Sequence, residues 1–216
     1  MAAAVHARLQ SQAKSILQYW FGSTYPQSIE MRQMWFKKDA AIDDAIRDQY
    51  GALVSDVLAA DSDVLFRLLR ENEAQVKLAA VLCLDQFTRN IYRDQATAFH
   101  GDRLAQAFVE ETVGSPVAMR EIKQLHALEQ GFFFMPLMHS EDKRVHVVAE
   151  RVFNDLSADF AANPALNGTT AYFAKFEHDH KAIIDRFGRY PHRNAILGRE
   201  STPEEIEFLR QPNSSF

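Results

Sequence analysis

The stretch EAQVKLAAVLCLDQFTRNIYRD, residues 73–94, decides the fold class of this chain. It is apolar on nearly every side from Val76 to Leu84, and this pattern predicts a helix buried at the centre of the protein. Amphipathic helical patterns surround it: one ends near Gly22, one begins near Asp39, and others cover about residues 96–113, 117–135, 141–162 and 170–187. The sequence therefore predicts one all-α domain, residues 1–216, with about eight helices joined mostly by short loops.

Residues with capping preferences mark several predicted helix ends. Asp61 and Ser62 can cap a short helix, and Gly188 can end the last long one. The stretch STPEEIEFL, residues 201–209, predicts a short helix that is opened by a serine or threonine cap and a capping-box glutamate. Pro136 lies inside an apolar run, and we expect it to break the helix there.

The bulk composition is that of a globular protein, and it limits the classes of partner. Apolar residues make up 47% and charged residues 25% of the 216 residues. The net charge of −5 and the pI near 5.9 do not favour nucleic acid or an anionic membrane as a partner. A local basic patch can still bind a small anion.

The cysteine content and the N-terminal stretch indicate a reducing compartment. The single cysteine, Cys83, excludes an internal disulfide and a cysteine-based zinc site, and it is interpreted as an inert core thiol. The first 22 residues lack the pattern of a signal peptide, and no run approaches the roughly 18 apolar residues of a membrane helix. These features predict a cytoplasmic protein, and no cofactor is predicted.

Two charged residues on the central stretch stand out because their neighbours are apolar. Asp85 and Arg89 share a face with Leu78 and Leu82 and are four residues apart, with the acid first. The pair can be a simple ion pair within the helix. If the helix is buried, both charges also need other partners or a wet cavity. A structural role and a functional role are therefore both open.

The stretch LHALEQGFFFMPLMHSEDK, residues 125–143, carries a second set of polar candidates. Glu129 lies on an apolar stripe, and we expect it to point toward the core. His139 and Glu141 are candidates for chemistry, because a chain reversal after the proline would place them beside Glu129. The other polar residues of this turn are interpreted as helix caps.

A third candidate is His180, which falls among apolar residues on the last long helix. Glu177 lies three residues before it, and this Glu-x-x-His spacing can place both side chains on one metal ion. A di-metal bundle needs two such motifs, and only one is present in the sequence. No metal site is therefore predicted, and the Glu177 and His180 pair is kept as the weaker alternative.

The stretch DRFGRYPHRN, residues 185–194, is rich in arginine, and no acid occurs among residues 186–199. The basic residues that follow its glycine are Arg189, His192, Arg193 and Arg199. Such a density of positive charge needs negative charge nearby. We expect it to come from buried carboxylates such as Asp85, Glu129 or Glu141, or from a bound anion.

Five motifs occur in a fixed order and together resemble a bacterial family, domain of unknown function 924. They are YWFG, MWFKKDAAIDDAIRDQYG, LDQFTRNIYRDQATAF, FFFMPLMHSED and DRFGRYPHRNAILGRESTPEE. The resemblance covers about Ile16 to Leu209. One position departs from the usual family pattern, because Thr88 stands where proline or serine is expected. Threonine tolerates a helix better than proline does, so we expect only a local adjustment.

The resemblance implies a more detailed fold than periodicity does: antiparallel helix pairs in a tetratricopeptide-like, right-handed superhelical stack. It implies no activity. It also carries a set of motif positions onto this chain. These are Trp35, Asp39, Asp43, Asp85, Gln86, Arg89, Asn90, Arg93, Phe99, Pro136, His139, Ser140, Glu141, Asp142, His180, Phe187, Gly188, Arg189, Pro191, His192, Arg193, Asn194, Gly198 and Arg199.

The first of three candidate functions is an enzyme or small-molecule binder. A polar cleft of arginine, histidine and carboxylate side chains would bind or process a small anionic molecule. The residues expected to transfer protons are His139, Glu141, His180 and His192. The residues expected to hold the ligand are Asp85, Arg89, Asn90, Arg93, Glu129, Arg189 and Arg193.

The other two candidate functions need no small ligand. One is a tetratricopeptide-like module that binds a protein or peptide partner, and it rests on fold analogy alone. The other is purely structural, with the motif residues forming a buried ion-pair network that locks the C-terminal segment onto the central helix. The sequence contains no phosphate loop, nucleophile elbow, dinucleotide fingerprint or His-Glu-x-x-His motif, so the reaction class stays open.

Overall fold

The computed structural model describes residues 1–29, 31–212 and 214–215, and these residues form helices and no strands. This confirms the all-α prediction. The α-helices are α1 (Ala2–Phe21), α2 (Ala40–Leu58), α3 (Ser62–Arg70), α4 (Ala74–Leu82), α5 (Thr88–Ile91), α6 (Asp102–Gly114), α7 (Pro116–Ile122), α8 (Ala127–Met138), α9 (Lys143–Asp159), α10 (Asn167–Phe187) and α11 (Pro203–Leu209). A π turn occupies Cys83–Phe87, and 3-10 turns occupy Gln33–Trp35, Ala96–Phe99 and Pro191–Arg193.

The described helices outnumber the eight or so that the sequence predicts, partly because one expected helix is split. Residues 117–135 cover most of α7 and most of α8, which are separated by residues 123–126. The His126 side chain accepts a hydrogen bond from the Leu128 N–H, and Glu129 accepts one from the His126 N–H. This capping box starts a new helix although the apolar pattern continues across it.

α4, the π turn and α5 form one continuous helix, residues 74–91, which we call the central helix. Between Leu78 and Thr88 no residue is more than 8% exposed. α1, α2, α6 and α8 pack around it. The prediction of a buried central helix is therefore confirmed, and it holds because apolar side chains on every face leave no side that prefers water.

The π turn adds one residue to a helical turn and lies in the middle of this buried stretch. Such turns disturb the regular i to i−4 hydrogen bonds and are frequent at functional sites. The hydroxyl of Thr88 donates to the carbonyls of Leu84 and Asp85, at 3.0 and 3.1 Å. Thr88 is fully buried, and its departure from the family pattern is accommodated within a continuous helix.

The expectation that Pro136 breaks its helix is wrong. Pro136 lies inside α8, which continues to Met138. Proline lacks the N–H that would bond the carbonyl of Phe132, but the helix ends only two residues later, so the disturbance stays in the last turn. All twelve residues of α8 are buried, and packing outweighs the lost bond.

The predicted caps at Asp61, Thr202 and Gly188 are confirmed, and Asp39 caps the helix that was expected to begin near it. Asp39 and Asp61 accept hydrogen bonds from backbone N–H groups at the starts of α2 and α3. Thr202 caps α11, where Glu205 completes a capping box. Gly188 ends α10 in the left-handed conformation with a φ of 70°, which favours glycine.

Buried apolar residues from α1 to α10 form a continuous core. α8 and α10 approach closely, because a Cβ atom at Gly131 would lie 2.4 Å from the ring of Phe173. Gly101 approaches the π turn in the same way, with a Cβ position 2.0 Å from the carbonyl oxygen of Leu84. Among the described residues, no helix is long and apolar enough to cross a membrane.

Candidate functional site

The π turn places Asp85 against His139, the residue that follows α8. Oδ1 of Asp85 lies 2.7 Å from Nδ1 of His139, and Asp85 is fully buried. Burial opposes ionisation of Asp85, but the positive charge of Arg89 and the hydrogen bond from His139 outweigh it and lower the pKa of this carboxyl. An ionised carboxylate only accepts, so Nδ1 of His139 carries the hydrogen and donates it.

Protonation of His139 is opposed by its surroundings. Burial is the largest cause that lowers the pKa of His139, and the positive charge of Arg89 adds to it. Asp85 acts in the opposite direction without reversing the shift. At neutral pH the ring is therefore neutral, with Nδ1 committed to Asp85 and Nε2 holding a lone pair. This is the arrangement of a histidine base oriented by a carboxylate.

A second aspartate, Asp102, connects two arginines from distant parts of the chain. Arg89 donates to both oxygens of Asp102, at 2.8 and 3.0 Å, and lies 3.0 Å from Oδ1 of Asp85. Arg193 donates to Oδ2 of Asp102 from Nη1 at 3.2 Å. Asp102 is the first residue of α6, and the close approach of Gly101 to the π turn brings it to Arg89.

Arg193 is held tightly but paired incompletely. Its guanidinium carbon lies 4.6 Å from the ring centre of Phe99 and 4.7 Å from that of Tyr190, so two aromatic rings flank it. Its Nε is buried and has no hydrogen-bond partner within the described part of the chain. A buried donor without a partner carries a free-energy penalty that a bound acceptor would remove.

An open cavity of about 340 Å³ lies beside this group. Histidine, arginine and carboxylate side chains share its wall with the apolar side chains of Phe99 and Leu197. The lining residues are Ala96, Phe99, His100, Asp102, Arg103, Gln106, His139, Ser140, Glu141, Arg193 and Leu197. We call Asp85, Arg89, Asp102, His139 and Arg193 the Asp85 cluster.

The turn that carries His139 is fixed by hydrogen bonds from α9 and from the C-terminal segment, residues 188–199. The Tyr190 hydroxyl donates to the Met138 carbonyl at 2.5 Å. Nε2 of His146 lies 2.8 Å from the Ser140 carbonyl oxygen, and its Nδ1 lies 2.7 Å from Oε1 of Glu177. Burial raises the pKa of Glu177. These bonds hold the position of His139 against the central helix.

Glu141 was expected to transfer protons, but its carboxylate is occupied by other partners. Arg199 donates to both of its oxygens, at 2.6 and 2.9 Å, and the Tyr190 N–H donates to Oε1 at 2.8 Å. Burial opposes ionisation, but these partners outweigh it and lower the pKa of Glu141. Glu141 lines the cavity as a paired carboxylate.

His180 and His192 lie next to the Asp85 cluster, around the ring of Tyr190. Their rings are 5.7 and 5.5 Å from that ring, and His180 is 6.3 Å from the ring of His139. Nδ1 of His180 donates to the Phe176 carbonyl at 2.7 Å. Burial lowers the pKa of His180 well below its usual value. Burial and the charge of Arg193 lower the pKa of His192 to about 4.

The structure does not bring every predicted ligand-binding residue to this cavity. Asn90 donates to Asp43 at 2.8 Å, and Arg93 donates to both oxygens of Asp43. We call Asp43, Asn90 and Arg93 the Asp43 cluster, and none of them lines the cavity. Burial opposes ionisation of Asp43, but Arg93 and Asn90 outweigh it and lower the pKa of this carboxyl.

Glu129 and Arg189 also have structural partners away from the cavity. Glu129 caps α8 and accepts a hydrogen bond from the Tyr25 hydroxyl at 2.7 Å, so it faces the core without joining His139. Arg189 donates to both oxygens of Glu205, at 2.7 and 2.8 Å. The expected contact between the C-terminal arginines and Glu129 therefore does not form. Glu129 is bonded to the His126 N–H and the Tyr25 hydroxyl, and Arg189 is bonded to Glu205.

The weaker metal alternative receives no support from the geometry. Glu177 pairs with His146 and His180 pairs with a backbone carbonyl, as described above. No group of three potential ligands among histidine, cysteine, aspartate and glutamate is suited to a metal ion in the described residues. Cys83 is buried, and burial raises its pKa to about 12, which agrees with an inert thiol.

Sequence reasoning missed three residues that shape the site. Asp102 was placed within a longer expected helix, although the Gly101–Asp102 pair is a signal for a helix start. Tyr190 precedes Pro191, and no sequence pattern indicates that its hydroxyl reaches the Met138 carbonyl. No sequence pattern marks His146 as a site residue, because its position in the amphipathic helix α9 resembles those of its neighbours.

Comparisons with known proteins identify the family and one structural relative. The chain is similar to a solved structure of a protein of unknown function from Agrobacterium tumefaciens, with 29% identity, a TM-score of 0.69, and coverage of 93% of this chain and 97% of that one. No curated protein matches the chain. Residues 16–213 match the family described as bacterial protein of unknown function, DUF924. The match covers most of the chain, and the protein therefore belongs to the DUF924 family.

Proposed function

We propose that this protein binds a small anionic molecule in the cavity beside the Asp85 cluster, with His139 as the acid–base group of the site. The observation that carries the proposal is the buried Nε of Arg193, which lacks a partner on a residue that lines the cavity. A planar guanidinium with an unpaired N–H is suited to a carboxylate or phosphate oxygen.

His139 supports the proposal independently of Arg193. It lines the same cavity, and its hydrogen bond to Asp85 fixes both its orientation and its tautomer. Nε2 can then accept a proton from a bound molecule and return it in a later step. Conversion of the bound molecule into a product is also proposed, and it rests on His139 alone.

A purely structural network is the nearest competitor, and the pairing of the arginines separates the two. Arg189 and Arg199 each donate from two guanidinium nitrogens to both oxygens of one carboxylate. Such paired bonds are expected of a structural lock between the C-terminal segment and the helices. Arg193 has one long bond, to Asp102. The lock therefore accounts for Arg189 and Arg199 and leaves Arg193 without a full explanation.

A protein or peptide partner is the second candidate, and one surface feature favours it. Phe36 and Tyr172 are 53% and 40% exposed, and their rings lie 6.5 Å apart. Exposed aromatic pairs are common at protein interfaces. The tetratricopeptide-like, right-handed superhelical stack that the family resemblance implies belongs to this proposal, because such stacks present peptide-binding surfaces.

The test is a thermal-shift screen with acetate, benzoate, inorganic phosphate and adenosine monophosphate. A ligand that binds the native state raises the melting temperature. We expect at least one anion to stabilise the wild type, and we expect Arg193→Gln to weaken that binding by about tenfold or more, because a charge-assisted hydrogen bond is lost. His139→Gln serves as a second variant if Arg193→Gln does not fold.

Arg189→Gln is the matched control. It removes an arginine of the same C-terminal segment that bonds Glu205 away from the cavity. The control should keep the wild-type response to the anion. The proposal is wrong if no anion stabilises the wild type, or if Arg193→Gln and Arg189→Gln respond to the anion equally.

A further inference from the structure

We propose that each singly charged anion enters the cavity together with one proton, and that Nε2 of His139 receives this proton. The inference rests on the proposed function, because it concerns the same site. It specifies the ligand as a monoanion, such as a small carboxylate, and it makes binding dependent on pH. It follows from the charges that surround the cavity.

The fixed charges of the Asp85 cluster balance one another. Two carboxylates, Asp85 and Asp102, face two guanidinium groups, Arg89 and Arg193. Beside them, Glu141 and Arg199 form a second neutral pair. An entering anion therefore meets no net positive charge from these buried and half-buried pairs. Arg103 at the cavity wall is exposed, so water screens its charge.

His139 can supply the missing positive charge without moving. Its Nδ1–H already donates to Asp85, so a proton on Nε2 produces an imidazolium with Asp85 on one side and the cavity on the other. The proton comes from solvent, and no covalent bond to the ligand forms or breaks. The anion and Asp85 then flank one cation, and Arg193 Nε can donate to another oxygen of the anion.

The groups around His139 explain why it takes up a proton only when an anion is bound. The charged and titratable groups that neighbour His139 or line its cavity are Asp85, Arg89, His100, Asp102, Arg103, Glu141, His180, Tyr190, His192 and Arg193. Burial and Arg89 keep His139 neutral in the absence of a ligand, and Asp85 alone does not reverse this. An anion near Nε2 adds the second negative neighbour. By linkage, a ligand that favours the protonated form is itself bound more tightly where that form is more abundant.

The same balance selects the class of ligand. One protonated histidine compensates one negative charge, so a dianion such as a phosphate monoester would leave a charge unpaired near Asp102 and Glu141. The apolar side chains of Phe99 and Leu197 on the cavity wall suit a ligand with an apolar body. A carboxylate with a small hydrocarbon group meets both conditions.

Benzoate is the probe, because it is a monoanion that does not titrate near neutral pH. Its Kd is measured between pH 6.5 and 7.5 by NMR titration of the full-length protein. We expect the Kd to rise about tenfold over this one pH unit, as uptake of one proton requires. Calorimetry at pH 7.5 in HEPES and in Tris, which differ in ionisation enthalpy, should give about one proton taken up per benzoate bound.

Two variants complete the experiment. Arg189→Gln should keep the wild-type slope, and His139→Gln should bind benzoate more weakly with a Kd that no longer depends on pH. A Kd that is independent of pH in the wild type, or a wild-type slope in His139→Gln, overturns proton uptake by His139 and leaves the anion site standing. If neither benzoate nor any other anion of the screen binds, the anion site itself is overturned.

Discussion

Two aspartate–arginine clusters lie near the end of the central helix, and they differ in how completely their arginines are paired. In the Asp43 cluster, Arg93 donates through Nε and Nη2 to the two oxygens of Asp43, and Asn90 adds a third donor. In the Asp85 cluster, Arg193 has one bond of 3.2 Å and a buried Nε without a partner in the described residues.

The difference shows what distinguishes a structural lock from a candidate site. Both clusters are buried or half-buried, and apart from Asp102 both consist of motif residues, so residue type and burial do not separate them. A buried donor without a partner does: the Arg93 side chain is 27% exposed, so water can reach its remaining N–H groups, whereas Nε of Arg193 is buried and unpaired in the described residues. The predictions below test whether the two clusters behave as differently as their pairing indicates.

The largest expected effect is at Gly101, where the Asp85 cluster depends on a close backbone approach. A Cβ atom in Gly101→Ala would lie 2.0 Å from the Leu84 carbonyl oxygen, and backbone cannot move aside cheaply. We expect the free energy of unfolding to fall by about 3 kcal/mol or more. Chemical denaturation measures this, and benzoate binding should weaken because Asp102 shifts away from Arg89.

Gly114→Ala is the control for this substitution. A Cβ atom at Gly114 meets nothing within 4 Å, and the residue is the last of α6. Alanine should leave stability unchanged or raise it by up to about 1 kcal/mol, since it favours helix over glycine. Equal effects of the two substitutions would contradict the close approach at Gly101.

The next largest effect is at Asp43, where removal of the carboxylate leaves Arg93 without its partner. Asp43→Ala should lower the free energy of unfolding by about 3 kcal/mol, as for other broken buried pairs, without changing benzoate affinity. Asp44→Ala removes the neighbouring, exposed partner of Arg47 and should cost less than about 1 kcal/mol. A change in anion binding by Asp43→Ala would contradict the separation of the two clusters.

The smallest effect is on the pH dependence of stability. Unfolded histidine takes up a proton below about pH 6.5, whereas His192 in the native state does so only near its pKa of about 4. The unfolded state therefore binds more protons in this window, and stability falls as the pH is lowered from 6.5 to 4. For a partly exposed histidine this amounts to about 2 kcal/mol.

His192→Gln removes this contribution, so the variant should lose about 2 kcal/mol less than the wild type over the same pH range. His178→Gln, at an exposed position of α10, should follow the wild type. Chemical denaturation at pH 7, 5.5 and 4.5 makes the comparison. Parallel curves for His192→Gln and the wild type would show that His192 does not contribute.

The sequence predicts the fold class and the polar candidates well, because both depend on local patterns. The apolar run around Leu82 required a buried helix, and Asp85 and Arg89 stood out as charges within it. Of the acids expected to meet the C-terminal arginines, Glu141 does so by pairing with Arg199. Arg193 pairs instead with Asp102, which was not among the expected acids, and both carboxylates are half-buried.

Which acid meets which arginine could not be predicted, because pairing depends on tertiary distances. Glu129 is used by the cap at His126, and Arg189 by Glu205, so neither reaches the cavity. The π turn and the split between α7 and α8 have no hydrophobic signature, since apolar residues continue through both. The unpaired Nε of Arg193 depends on the tertiary structure and has no signal in the sequence.

The most direct test of the anion site is the arginine Nε–H signal of Arg193 in a ¹H–¹⁵N correlation spectrum. Arg193→Gln assigns the signal by its loss, and Arg189→Gln assigns that of the paired arginine. On addition of benzoate we predict that the Arg193 signal shifts, with the Kd seen for the whole protein, while the Arg189 signal stays in place. Saturation with benzoate without a shift at Arg193, or equal shifts at both arginines, would contradict binding at the Asp85 cluster.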